Sequence, residues 1–269
     1  MTTNVATVRS GIQPRCIGLP SPQPRAFTIA ELMVTLAITA LLSGLLMPTL
    51  SSVRENARRV VCASNQRQLG QAITMYAGDT RNRLPVAGVL DQFEPLSADL
   101  MVARHGVHQL GSPMTGPRAG RQGPPEPLPD GTWDGLGRLF QWHYCDAADC
   151  FYCPSHRGEN RLEEQRGNWN VKAVQDDLYT NYHYAGHKDW RTGKRRSLLK
   201  GHKLVLAMDG LRTRDDFSHG SGMNVLRGDG SVSWRDNVLI QGQLPLYVPE
   251  GTVIRDQDDL IYDLFSTGR

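Results

Sequence analysis

An unbroken apolar stretch near the amino terminus dominates the hydrophobic pattern of the chain. Over residues 27–47, which read FTIAELMVTLAITALLSGLLM, every residue except Glu31 is apolar, small or hydroxyl-bearing. As a helix this stretch would be about 31 Å long, close to the hydrocarbon core of a bilayer. A secretory signal normally has a shorter apolar run that ends in small residues, whereas this run ends at Pro48 and amphipathic sequence follows it. The pattern therefore predicts a transmembrane helix over 27–47.

The hydrophobic pattern continues after Pro48 at helical spacing. Residues 48–78 contain glycine only at Gly70 and Gly78, and Gly78 followed by Asp79 supplies a stop signal. We predict an amphipathic helix over 48–78 that continues from the span and packs an apolar stripe on a sheet. The residues of this stripe are Val53, Ala57, Val60, Val61, Leu69, Ile73, Met75 and Tyr76.

Short apolar runs in the second half of the chain predict that sheet. Residues 203–210 form a buried strand that ends in a turn signal, and the alternating runs 223–227 and 231–235 flank Gly-Asp-Gly as in a β-hairpin. Residues 260–265 indicate a short helix. The predicted fold class is α+β, a long N-terminal helix packed on a small antiparallel sheet, with residues 79–269 as the folded domain. A Gly- and Pro-rich loop is expected over 111–131.

The first 26 residues differ in composition from the rest of the chain. They contain Arg9, Arg15 and Arg25, no acidic residue and no periodic pattern, which is typical of a targeting leader. The whole chain has a formal net charge of +3 at pH 7. No run of basic residues resembles a phosphate-binding stripe, so we expect no nucleic-acid partner.

The segment AFTIAEL at 26–32 resembles the processing site of type IV prepilins and type II secretion pseudopilins. In that family a prepilin peptidase cuts before a Phe and N-methylates the new terminus, so the resemblance implies cleavage between Ala26 and Phe27. Counted from Phe27, Glu31 falls on the fifth mature position, where the family has Glu, and Pro48 falls on the twenty-second, where the family often has a helix-kinking Pro. The residue before the cut is usually Gly, so Ala26 departs from the pattern.

Two further features resemble a pseudopilin-like group of planctomycetes and verrucomicrobia. One is the segment RVVCASNQRQLGQA at 59–72. The other is a His-x9-Asp-Gly signature, formed here by His219, Asp229 and Gly230. The resemblance implies a pilin-like fold with no enzymatic activity. It also implies a single-pass protein of the bacterial inner membrane with an extracytoplasmic C-terminal domain, whose partners are the prepilin peptidase and other pilin-like subunits.

Four cysteines remain after the leader with its Cys16 is set aside: Cys62, Cys145, Cys150 and Cys153. Outside the cytoplasm they could form one or two disulfides, either locally from Cys145 or between Cys62 and one of the other three. The string His143-x-Cys145-x4-Cys150-x2-Cys153-x2-His156 also has zinc-ligand types. Cys150 and Cys153 would form half of a site, and two further ligands would come from Cys145, His143, His156 or Cys62. Free buried thiols are the third alternative. No cofactor is required by the pattern. Calcium binding by the C-terminal tail is a further alternative, although the tail lacks EF-hand spacing. The acidic residues of this tail are Asp256, Asp258, Asp259 and Asp263.

Three functions compete on these residues. The first is a structural assembly subunit, in which Phe27 is the new terminus and Glu31 pairs with the terminus of a neighbour or snorkels at the membrane edge. The second is a membrane-tethered binding module that uses Trp133, Trp142, Trp169 and Trp190. The third is a hydrolase that uses His219, Asp209 and Asp229; His219 could instead cap the Asp229–Gly230 turn or bind a metal. The first is our prediction.

Overall fold

The computed structural model describes residues 27–88, 101–106, 132–172, 174–189, 191–236, 244 and 260–265. The predicted leader 1–26 and the predicted loop 111–131 lie outside the described residues. The chain divides into two compact units, Met1–Thr49 and Leu50–Arg269. Helix α1 (Ile29–Asp79) contributes to both of them.

Helix α1 begins with a capping box. The side chain of Glu31 accepts hydrogen bonds from the backbone N–H and the hydroxyl of Thr28, and the Thr28 hydroxyl accepts one from the N–H of Glu31. Side chains between Phe27 and Met47 are exposed, and α1 is long and apolar enough to cross a membrane. Pro48 lies inside the helix and does not end it.

The second unit contains two antiparallel sheets. A four-stranded sheet has the order β3-β4-β5-β6, and β1 pairs with β2. The strands are β1 (Val102–Arg104), β2 (Leu178–Tyr179), β3 (Tyr182–Tyr184), β4 (Val205–Asp209), β5 (Gly222–Arg227) and β6 (Val232–Asp236). Together with α1, these sheets confirm the predicted α+β fold class.

Short helices connect and cover these strands. The α-helices are α2 (Gly137–Gln141), α3 (Leu162–Gln165) and α4 over 260–265, and the 3₁₀ helices are Ala148–Phe151, Arg166–Trp169 and Leu198–Lys203. Strand β4 lies within the predicted strand 203–210, and β5 and β6 form the predicted hairpin. In its turn, Gly230 has a φ of +81°, which glycine adopts without a Cβ clash.

The buried face of α1 differs from the predicted apolar stripe. In the second unit this face carries Cys62, Gln66, Leu69 and Ile73, whose side chains are fully buried. Val53, Val60, Val61 and Met75 of the predicted stripe are exposed instead. The reason is that Gln66 faces the sheet, where its amide donates to Asp209 and to the carbonyl of Asn224. A polar residue therefore lies at the centre of the buried face, and a prediction from hydrophobicity alone omits this residue.

The absence of a side chain at Gly70 lets α1 approach β5 closely. A Cβ on Gly70 would stand 2.9 Å from Cδ1 of Leu226. Elsewhere the core contains an aromatic cluster of Trp133, Phe140, Phe151 and Trp169, in which Trp169 stacks on Phe151 with ring centroids 4.5 Å apart. The loop that follows Phe151 lies beside α1, where the side-chain amide of Asn65 donates to the carbonyl of Tyr152 at 2.9 Å.

Candidate metal centre

Four buried side chains from separate parts of the second unit converge on one point. They are Cys62 on α1, Cys153 in the loop after the Ala148–Phe151 turn, Asp209 at the end of β4 and His219 just before β5. One ligand atom from each residue lies within 4.8 Å of those of the other three. Among the residues that the structure describes, this is the one group of three or more such side chains that could hold a metal ion.

The distances within this cluster are those of direct contact. Sγ of Cys62 donates to Oδ1 of Asp209 at 3.0 Å, and Sγ of Cys153 lies 3.4 Å from Nε2 of His219. The same Nε2 atom lies 3.6 Å from Oδ2 of Asp209. Ligand atoms about 2.0–2.3 Å from a tetrahedral ion are roughly 3.3–3.8 Å from one another, so two of these three distances fall in that range and the third is shorter.

A second layer of side chains orients His219. Its Nδ1 lies 2.6 Å from Oε1 of Glu55, and Ser155 donates its hydroxyl to the Glu55 carboxylate at 3.0 Å. The ring of Trp234 packs edge-on to His219 at 5.6 Å. In the neutral form of the ring, a proton on Nδ1 for Glu55 would leave the lone pair of Nε2 directed at the cluster.

Asp209 is fixed in the same manner. Its Oδ1 accepts a hydrogen bond from Gln66 at 2.8 Å, and its Oδ2 accepts one from the backbone N–H of Asn224 at 2.7 Å. Cys153 is held through its backbone, whose N–H donates to Oδ1 of Asn181 at 2.6 Å. The ligand atoms are therefore positioned by neighbours on α1, β5 and the loop before β3.

The electrostatics of the cluster follow from burial and from these contacts. Burial raises the pKa of Cys62 and of Asp209. Burial also raises the pKa of Cys153, but hydrogen bonds with Cys62 and His219 outweigh it and lower the pKa to about 7. Burial lowers the pKa of His219, and its contacts with Cys153 and Asp209 raise it to about 9. Cys153 and Asp209 thus stabilise the protonated form of His219.

The comparison with protein families matches most of the second unit before β5. Residues 51–215 match the model of the family described as "Protein of unknown function (DUF1559)". The chain belongs to this family. Of the four cluster residues, Cys62, Cys153 and Asp209 lie within the DUF1559 match, and His219 follows it closely. No curated protein and no solved structure matches the chain.

In this DUF1559 chain the two halves of the His-x9-Asp-Gly signature lie at opposite ends of β5. His219 precedes the strand, whereas Asp229 and Gly230 form the turn after it, where Oδ1 of Asp229 accepts from the N–H and hydroxyl of Ser231. The six residues of β5 span about 20 Å. His219 therefore neither caps that turn nor joins Asp229 in a catalytic group; it meets Asp209 instead.

The structure also separates the predicted zinc string. Cys145 and Cys150 contact each other, and Cys150 donates to Gln68 at 3.0 Å, whereas Cys153 faces Cys62. His143 pairs with Asp146 at 2.7 Å, and the side chain of His156 lies 3.5 Å from Asp216. The string does not form a single site, because its members have different partners. Cys153 instead meets Cys62, which is one of the residues expected to complete a zinc site. All four cysteines are free thiols in the structure, and their pairing in disulfides stays a prediction.

The remaining predicted site residues are dispersed. Trp169 is 1% exposed within the aromatic cluster, which excludes it from a ligand-binding surface, and Trp142 is 61% exposed. Phe27 is exposed ahead of α1. The acidic side chain of Glu31 is engaged with Thr28. Ala26, Trp190, Asp256, Asp258 and Asp259 lie outside the described residues.

Four residues around the cluster were not predicted from the sequence: Glu55, Gln66, Ser155 and Asn224. A signal for two of them was present. Glu55, Cys62 and Gln66 are separated by seven and four residues, so a helix places all three on one face. Three polar or sulfur-bearing side chains on one helix face indicate a buried polar site, although they do not identify what completes it.

Proposed function

We propose that this DUF1559 chain is a membrane-anchored, pilin-like structural subunit of a type II secretion or type IV pilus-like assembly, and not an enzyme. A prepilin peptidase would cut before Phe27 and methylate the new terminus. One observation carries this proposal: the exposed apolar part of α1 starts beside Phe27 and holds a single acidic side chain, Glu31, within its first turn. The resemblance of the segment 26–32 to prepilin processing sites agrees with it.

The exposed surface of α1 supports assembly by packing of neighbouring helices. A carboxylate in a bilayer is costly without a partner, and the free amino group of a neighbour's Phe27 would neutralise Glu31. Beyond the span, Val53 and Val60 are 61% and 67% exposed. They are seven residues apart and so lie on one face, whereas buried Leu69 is two and a half turns after Val60 and faces the opposite way. An apolar face remains for a second copy of the chain.

The same proposal fixes the compartments. The leader would stay in the cytoplasm, α1 would cross the inner membrane once, and Leu50–Arg269 would fold outside the cytoplasm. The partners would be the prepilin peptidase and other pilin-like subunits. The planctomycete and verrucomicrobial resemblance of residues 59–72 supports this assignment, since it lies outside the processing segment.

The test is mass spectrometry of the mature amino terminus after co-expression with a prepilin peptidase. We expect a chain that begins with N-methylated Phe27. Ala26→Gly should be processed at least as completely, because Gly is the usual residue before the cut, and Phe27→Ala should lose methylation or cleavage. An intact Met1 terminus, or cleavage at another bond with the peptidase present, would refute the proposal.

Assembly is tested separately from processing. Two copies of the chain with different tags should co-purify from membranes, and Glu31→Ala should abolish this while cleavage before Phe27 continues. Glu163→Ala is the control, because Glu163 is an exposed acidic residue of α3. Unchanged co-purification of Glu31→Ala would contradict the role given to Glu31.

A further inference from the structure

We propose that Cys62, Cys153, Asp209 and His219 bind one zinc ion, which joins α1 to the sheet and its loops. This site is independent of the proposed role in assembly, because each of its residues lies in the second unit and none takes part in processing. The inference rests on the ligand types, on their spacing and on the layer of side chains behind them.

The ligand set is that of a closed zinc site. Two sulfur atoms, one imidazole nitrogen and one carboxylate oxygen make four protein ligands, the number that a structural tetrahedral zinc site uses. Calcium and magnesium prefer oxygen ligands and six or more of them, so a site with two cysteines excludes both. The four residues are at most 5% exposed, which leaves the ion enclosed by protein.

The surrounding contacts prepare the ligands for a cation. Glu55 on Nδ1 of His219 reproduces the carboxylate–histidine–metal arrangement that fixes the tautomer of zinc-bound histidine. Asp209 is enclosed in the core, where Cys62, Gln66 and the backbone N–H of Asn224 donate hydrogen bonds to its carboxylate. A buried carboxylate is costly unless a positive charge compensates it, and a zinc ion would supply that charge in place of the His219 imidazolium, whose Nε2 lies 3.6 Å from Oδ2 of Asp209.

The location explains what the ion would do. Cys62 belongs to α1, Asp209 to β4, and Cys153 and His219 to two loops, so one ion connects four chain segments that are distant in sequence. Such a connection stabilises the folded state because the unfolded chain does not hold the ligands together. A disulfide between Cys62 and Cys153 would use the same two sulfur atoms, so it and the zinc ion exclude each other.

The experiment uses the full chain in detergent, with zinc as the probe. We expect elemental analysis to find one zinc per chain, and cobalt(II) added to the zinc-free protein to give the absorption of tetrahedral, thiolate-bound cobalt. In Cys62→Ser and in Cys153→Ser the affinity for zinc should fall more than about 100-fold, since loss of a ligand exceeds loss of a supporting contact. The matched control, Cys145→Ser with Cys150→Ser, changes two other cysteines and should bind zinc unchanged.

Several results would overturn the proposal. One is a Cys62–Cys153 disulfide in the isolated chain, seen as a linked peptide and the loss of two hydrogens, together with no bound metal. Another is undiminished zinc binding in the Cys62→Ser and Cys153→Ser variants, or copper in place of zinc. If those variants do not fold, the cobalt titration of the unaltered chain tests the proposal. A titration without the absorption band of thiolate-bound cobalt would show that the site does not bind metal through its cysteines.

Discussion

Nδ1 of His219 lies 2.6 Å from Oε1 of Glu55, although 164 residues separate them in sequence. The contact joins the loop before β5 to the face of α1 that also carries Cys62. It leaves Nε2 of the same ring directed at Cys153 and Asp209. One hydrogen bond therefore sets the orientation of a histidine on which the proposed zinc site depends.

Removal of the Glu55 carboxylate should weaken zinc binding without removing a ligand. For Glu55→Ala we expect roughly 10- to 100-fold lower affinity, the usual effect of losing a hydrogen-bond partner behind a metal ligand. Glu55→Gln should lose less, because its amide oxygen still accepts the Nδ1 proton. Competition with a zinc-binding dye measures both. Glu163→Ala is the control, and equal affinities for Glu55→Ala and that control would show that Glu55 does not support the site.

Two tryptophans offer a matched test of the core. Trp169 is 1% exposed and donates its indole N–H to Tyr152 at 3.1 Å, whereas Trp142 is 61% exposed. Trp169→Ala should lower the free energy of unfolding by about 3–5 kcal/mol, and Trp142→Ala by less than about 0.5 kcal/mol. Chemical denaturation followed by circular dichroism measures both. Similar losses from the two substitutions would contradict the packing described here.

Asp189 should contribute to stability in a way that acid removes. Burial raises its pKa, but hydrogen bonds from the backbone and hydroxyl of Thr192 outweigh burial, so the pKa lies below its usual 3.8. A lowered pKa stabilises the folded state fully above pH 3.8, and this contribution is lost as the pH falls through the folded-state value. Asp189→Asn should therefore show a smaller loss of thermal stability on acidification below pH 3.8. If the thermal stability of the unaltered chain and of Asp189→Asn falls equally on acidification, Asp189 does not make this contribution.

Cys145 and Cys150 should form a local disulfide once the domain is outside the cytoplasm. Their thiols are in contact, and the partly exposed position of Cys145 leaves it open to oxidants. An oxidising compartment then favours the bond. Peptide mapping of protein isolated without reductant should find the Cys145–Cys150 linkage. If both Cys145 and Cys150 react with an alkylating reagent under those conditions, the prediction is wrong.

The exposed apolar face of α1 should contribute to assembly. Val60→Glu places a charge where a second copy would pack, so co-purification of differently tagged copies should fall while the thermal stability of the domain stays unchanged. Leu199→Glu adds the same charge at an exposed apolar position outside α1 and should have little effect. Equal loss in both variants would point to general charge repulsion and not to a defined face.

Sequence reasoning was most successful where one local pattern suffices. The length of α1 follows from an apolar run joined to helical spacing, and the β5–β6 hairpin follows from two alternating runs around Gly228 and Gly230. It failed on the buried face of α1, because Gln66 is buried for its hydrogen bonds with Asp209 and Asn224. Hydrophobic periodicity contains no information about that partner.

The sequence by itself determined the elements whose cause is local: the apolar helix from Phe27, the acidic residue at Glu31, and the strands and turn after Lys203. Only the tertiary structure decided which chemistry-bearing residues meet. The short string around Cys150 was the obvious metal motif, yet its loop sends Cys145 and Cys153 to different partners. Cys62, Asp209 and His219 come together because α1 packs on β4 and β5, and such long-range packing depends on the whole core and not on any single segment.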